Sequence, residues 1–148
     1  MHFPRYNYTT DKDSQFFEFI SEGPNGKIVK VVQYSETNLE NVYNLAFGDY
    51  DEQTGKINDT IVTNNYDSKK VLATVASTVY AFTGKKPDAI VYATGSNDAR
   101  TRLYRIGITN NLVEILHDFD VFGFRNDNWE EFEKAAEYEA FVVKRKKS

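Results

Sequence analysis

Between Ser14 and Thr37 the chain alternates apolar and polar positions, and SQFFEFISEGPNGKIVKVVQYSET sets two aromatic and β-branched runs on either side of GPNG. A period of two marks a strand with one buried face. GPNG puts proline at the second turn position and glycine just after it, so the stretch predicts a β-hairpin. NVYNLAFGDY continues the alternation with Tyr43, Leu45 and Phe47 on one face, and INDTIVT follows across a turn over residues 52–55. Together they predict a meander of about four strands, a common sheet size.

From Asp67 the period changes to 3.6. Leu72, Val75, Ala76, Val79 and Phe82 share one helical face, Asp67 or Ser68 stands as N-cap, and Gly84, Lys85, Lys86 and Pro87 supply the stop signals. DAIVYAT, bounded by proline and glycine, predicts a central strand covered on both faces. Ser96 is the expected cap of a second helix from about Asn97 to Ile106, with a turn at Asn110 and Asn111. LVEILHDF, VFGF and YEAFVVKRK predict further strands, and NWEEFEKA a short helical turn around Trp129 and Phe132. The order is roughly β-β-β-β-α-β-α-β-β, and strands preceding helices favour an α+β fold.

Composition narrows the functional classes. At 148 residues and 41% hydrophobic content the chain has the size of one domain. Only residues 144–148 and the segment 1–13 are expected outside the folded core. A net charge of -4 argues against an overall footprint for nucleic acid. With no cysteine, disulfides and thiolate metal sites are excluded. No window has the apolar length of a membrane span, and the simplest location is the cytoplasm.

Against that acidic background TGSNDARTRLYR is unusual. Arg100, Arg102 and Arg105 are half of the six arginines in the chain. A strand ending at Thr94, a turn at Gly95 and a helix opening at Ser96 place unpaired N–H donors and the positive end of a helix dipole together, and arginines add bidentate donors for phosphate or carboxylate. The expected buried stripe of this helix is Ala99, Leu103 and Ile106, leaving the arginines on its flanks, with Tyr104 available to act beside them. Gly95, Ser96, Arg100, Arg102, Tyr104 and Arg105 are therefore the candidate ligand residues. The competing structural role pairs Asp98 with Arg102 at helical i, i+4 spacing and the other arginines with carboxylates across the sheet.

Other chemistry is thinly represented. DYDEQTGKINDT loosely follows a Ca²⁺ loop, but its glycine comes one position late and Thr60 stands where a bidentate acid is needed, so an acidic hairpin turn is the better reading. His117 and Asp118, as neighbours on a strand, would point to opposite faces. No serine or threonine has a general base in sequence, and the expectation is a protein without catalytic residues or cofactor.

The stretch from Phe47 to Asn111, with its asparagine- and aspartate-rich turn, its Val-Leu-Ala-Thr-Val helix and its Gly-Ser-x-x-x-Arg-Thr-Arg-Leu-Tyr-Arg segment, resembles a family of small uncharacterised bacterial proteins of about this length. That resemblance implies one domain in a bacterial cytoplasm and brings no established activity. A second resemblance, to minimal nucleotidyltransferases, rests on helix, strand, Gly95, Ser96 and an Asp-x-Asp formed by Asp118 and Asp120. It implies a metal held by those two carboxylates, although here the Gly-Ser to Asp-x-Asp gap is longer than in that pattern. A third, to whirly-type single-stranded nucleic-acid binders, rests on the four-strand-then-helix order and implies stacking by Phe16, Phe17, Phe19, Tyr34, Tyr43 and Phe47. The leading expectation is a non-catalytic module for an anionic small molecule, a nucleic acid or an acidic protein surface, with strand edges open to homodimer pairing.

Overall fold

A computed structural model describes residues 4–58 and 64–147. Its elements are β1 (Thr9–Thr10), β2 (Phe16–Gly23), β3 (Gly26–Glu36), β4 (Val42–Asp51), β5 (Lys56–Asn58), α1 (Ser68–Lys85), β6 (Ile90–Ala93), α2 (Asp98–Asn110), α3 (Leu112–Asp118), β7 (Phe119–Arg125), β8 (Asn128–Glu131) and β9 (Ala140–Arg145). The fold is α+β, one sheet ordered β1-β2-β3-β4-β6-β9-β7-β8 with β5 on the second half of β4.

The hairpin forms where the alternation places it, with Phe16 opposite Gln33 and Gly23 opposite Gly26. Gly26 takes φ +87 at the end of the turn, a left-handed value that glycine adopts without a Cβ penalty. Tyr43, Leu45 and Phe47 are buried as the period of two requires. β4 and β6 are parallel, Leu45 beside Ala93, and α1 is the crossover between them. β9 then inserts antiparallel between β6 and β7, which makes β6 central. The INDTIVT strand is present as Ile57 and Asn58 at the end of β5, and its remainder lies outside the described residues.

All three helices pack on one face of the sheet, against Tyr34, Leu45, Val91, Phe119 and Phe141. DAIVYAT is accordingly covered on one face only: Val91 and Ala93 are buried, whereas Ile90 and Tyr92 are half-buried on the other side. Tyr92 meets Trp129 there at a ring separation of 6.3 Å. A nearly unbroken apolar run suggested two covered faces, but neighbouring side chains within the sheet shield the second.

Buried hydroxyls on α1 are satisfied by its own carbonyls, as in Thr74 Oγ1 to Lys70 O at 2.7 Å and Thr83 Oγ1 to Val79 O at 2.7 Å. The N-terminal segment, expected to be loose, is tied to the helix: Tyr6 N donates to Thr74 Oγ1 at 2.8 Å, and Thr9 and Thr10 pair with β2. Lys144 and Arg145 likewise belong to β9, where the Arg145 guanidinium donates to Thr83 Oγ1 and to Tyr80 O at the end of α1.

Two predicted elements are different. LVEILHDF is helix α3 up to Asp118, because Leu112, Ile115 and Phe119 repeat at helical spacing toward the core and the short run satisfies either period. NWEEFEKA opens as strand β8: Asn126 and Asp127, at φ 52 and φ 60, form a two-residue hairpin turn of the type that asparagine and aspartate tolerate.

Candidate functional site

β6 ends at Ala93, and the chain turns through Thr94, Gly95 and Ser96 into α2. The cap is Asn97 and not Ser96: its side-chain oxygen accepts from the Arg100 N–H at 2.9 Å. Gly95 is required by close approach, since a Cβ there would meet Arg100 Cβ and Thr101 N. Its own N–H donates to Thr101 Oγ1 at 3.0 Å. The donors left without a partner inside the helix are those of the opening residues Asp98 and Ala99.

The buried side of α2 is Arg100, Thr101, Tyr104 and Gly107, one position round from the expected Ala99, Leu103 and Ile106. Gly107 faces Leu72 of α1. Tyr104 is core packing, and Arg100 is only 5% exposed, its guanidinium 5.6 Å from the Phe47 ring centroid. One guanidinium nitrogen of Arg100 has no hydrogen-bond partner among the described residues.

Arg102 and Arg105 stay outside. They line an open groove of about 710 Å³ together with Gly95, Ser96, Asp98, Glu137 and Glu139. The groove is assembled from two parts of the chain that a hydrogen bond from Thr94 Oγ1 to Glu139 O, 2.8 Å, holds together. Glu137 and Glu139 flank Tyr138 just before β9, where the tyrosine is buried and both glutamates are exposed. The expected Asp98–Arg102 pair is not made, and no ion pair forms among these five charged groups. Of the six candidate residues, the groove gathers Gly95, Ser96, Arg102 and Arg105, and excludes Arg100 and Tyr104.

Asp118 and Asp120 do not share a strand face, because Asp118 ends α3 and Asp120 lies on β7 opposite Lys144. Among the described residues no three metal-ligating side chains converge. Asp118 instead joins a cluster that sequence reasoning missed: its carboxylate takes the Tyr80 hydroxyl at 2.8 Å and meets His117 Nδ1 at 3.0 Å. The His117 and Tyr80 hydrogen bonds hold the Asp118 carboxyl below its usual range, while burial first, and Asp118 second, push the Tyr80 phenol up. The signal for this contact was available only once residues 112–118 were recognised as helical, since adjacent residues on a strand point apart.

The aromatic residues considered for base stacking are in the core, with Phe17, Phe19, Tyr34, Tyr43 and Phe47 buried and only Phe16 substantially exposed. Among the described residues no helix is long and apolar enough to cross a membrane.

No curated protein and no solved structure matches the chain. The model of a family of unknown function, DUF6934, matches residues 2–146, and the chain belongs to that family.

Proposed function

We propose that the protein is a non-catalytic binding module whose groove at the start of α2 takes a small molecule through its phosphate or carboxylate group. The observation that carries this reading is that Arg102 and Arg105, which make no ion pair among the described residues, line a groove of about 710 Å³ beside the opening residues of a 13-residue helix. The volume falls within the roughly 300–1,000 Å³ of small-molecule sites. Two guanidinium groups three residues apart on a helix project to neighbouring positions, and each offers a fork of donors that matches an oxyanion. The helix dipole adds a favourable field over the first turn, part of which Asp98 already uses. On this reading the Gly-Ser-x-x-x-Arg-Thr-Arg-Leu-Tyr-Arg segment has a divided role, with Arg102 and Arg105 facing ligand and Arg100 and Tyr104 holding the helix to the sheet.

The test is a thermal-shift screen of phosphate and carboxylate metabolites on wild type and on Arg102→Gln/Arg105→Gln. Arg102 is exposed, Arg105 is half-buried and neither makes an ion pair among the described residues, so the unliganded variant is expected to melt close to the wild type. A ligand present at about a hundred times its Kd stabilises by about 2.7 kcal/mol. A shift seen in wild type and lost in the variant supports the groove as the site. No shift in wild type across the screen, or an equal shift in the variant, overturns it.

A further inference from the structure

We propose that the ligand of this groove is a zwitterion, a small molecule carrying a cationic amine as well as the phosphate or carboxylate. The inference rests on the reading of Arg102 and Arg105 as the wall that meets the anion. The same groove also carries acid. Glu137 and Glu139 are exposed on either side of the buried Tyr138, and with Asp98 they leave the groove lined by two cations and three carboxylates, an excess of one negative charge. A bare dianion drawn to the arginines would therefore meet repulsion from these carboxylates, whereas an amine placed beside them turns the same carboxylates into partners.

The arrangement of these walls is built into the fold. The bond between Thr94 and Glu139 fixes the acidic segment to the strand that leads into the arginine helix. The buried Tyr138 ring, packed against Phe132 and Phe141, anchors the segment between the two exposed glutamates. Oppositely charged side chains that share a surface commonly close on one another for a modest gain. Here neither arginine and none of the three carboxylates enters an ion pair among the described residues. Charges of both signs therefore line one open groove without neutralising one another, and a molecule with charge of both signs can satisfy both sets at once.

Two matched pairs of probes separate this inference from the reading beneath it: phosphoethanolamine with ethyl phosphate, and β-alanine with propionate. Within each pair the anionic group is kept and the amine is removed. Isothermal titration calorimetry on wild type is expected to show at least one amine-bearing probe binding about ten-fold more tightly than its partner. Glu137→Gln/Glu139→Gln should abolish that preference without weakening the amine-free probe, and Arg102→Gln/Arg105→Gln should remove binding of both. Equal binding within each pair, or a preference that survives in the glutamine variant, overturns the zwitterion and leaves the arginine wall standing. If no probe binds wild type at tens of millimolar, both readings fall together.

Discussion

Three arginines within six residues meet different fates because each step along a helix turns the side chain by about 100°. Arg100, Tyr104 and Gly107 share the side that faces the sheet, and Arg102 and Arg105 share a side that faces the groove. For Arg100 the aliphatic stem packs inward while the charge lies over Phe47 with one nitrogen unpartnered. A buried cation without a carboxylate is costly, and an apolar side chain of similar volume recovers that desolvation. Arg100→Met is therefore expected to leave stability unchanged or raise it by about 1–4 kcal/mol, read as the urea midpoint of unfolding. A loss of more than about 2 kcal/mol would show that the guanidinium is held by interactions stronger than the Phe47 contact. Asp67 shows a comparable redirection. Placed at the N-cap of α1, it makes no cap bond and takes the hydroxyls of Tyr6 and Ser21 at 2.5 Å and 2.6 Å, tying the N-terminal segment and β2 to the start of the helix.

At the scale of elements, α1 and the β2–β3 hairpin were legible in advance because each carries a long pattern of one period and its own stop signals. α3 and β8 were not, since seven and four residues are too few to separate a period of 3.6 from one of two. The candidate groove shared this split: Gly95, Ser96, Arg102 and Arg105 were identifiable from the strand-to-helix pattern, whereas Glu137 and Glu139 come from a segment about thirty residues later and were invisible to local reasoning. The helices leave an apolar gap of about 80 Å³ over the sheet, lined by Ala76, Val91, Ala93, Gly107 and Phe141 among others. Unfilled interior volume forfeits dispersion contacts. Ala76→Val places two further methyl groups toward it and is expected to stabilise by on the order of 1 kcal/mol, visible as a raised melting temperature. A lowered one would mean that the gap is too narrow for a β-branched side chain and that overpacking dominates.

The whole molecule is a two-layer structure, and its single covered face sets its response to pH. Tyr34 is stacked on Phe82, bonded to Thr78 at 2.8 Å and fully enclosed, so burial pushes its phenol well above the ordinary 10.0; Tyr80 is raised as well. Their folded-state values lie above the unfolded ones, so the stability they provide is intact below pH 10 and declines as pH rises beyond it, where the unfolded chain releases protons that the folded chain retains. Each fully buried tyrosine contributes a slope of about 1.4 kcal/mol per pH unit there. Urea midpoints followed from about pH 8 to about pH 11 should fall above pH 10, and Tyr34→Phe should flatten part of that fall; a flat profile in wild type refutes the assignment. The sequence by itself determined the hairpin, the long helix, the central strand, the α+β class and the strand-to-helix turn at Gly95 and Ser96, because these follow from periodicity, turn chemistry and capping within a few residues of one another. Only the tertiary structure decided which arginines line the groove, that β9 lies between β6 and β7, and that two glutamates line the same groove as the arginines. Those features depend on which faces of distant segments pack together, and the free energy of that packing is shared among residues that no local pattern connects.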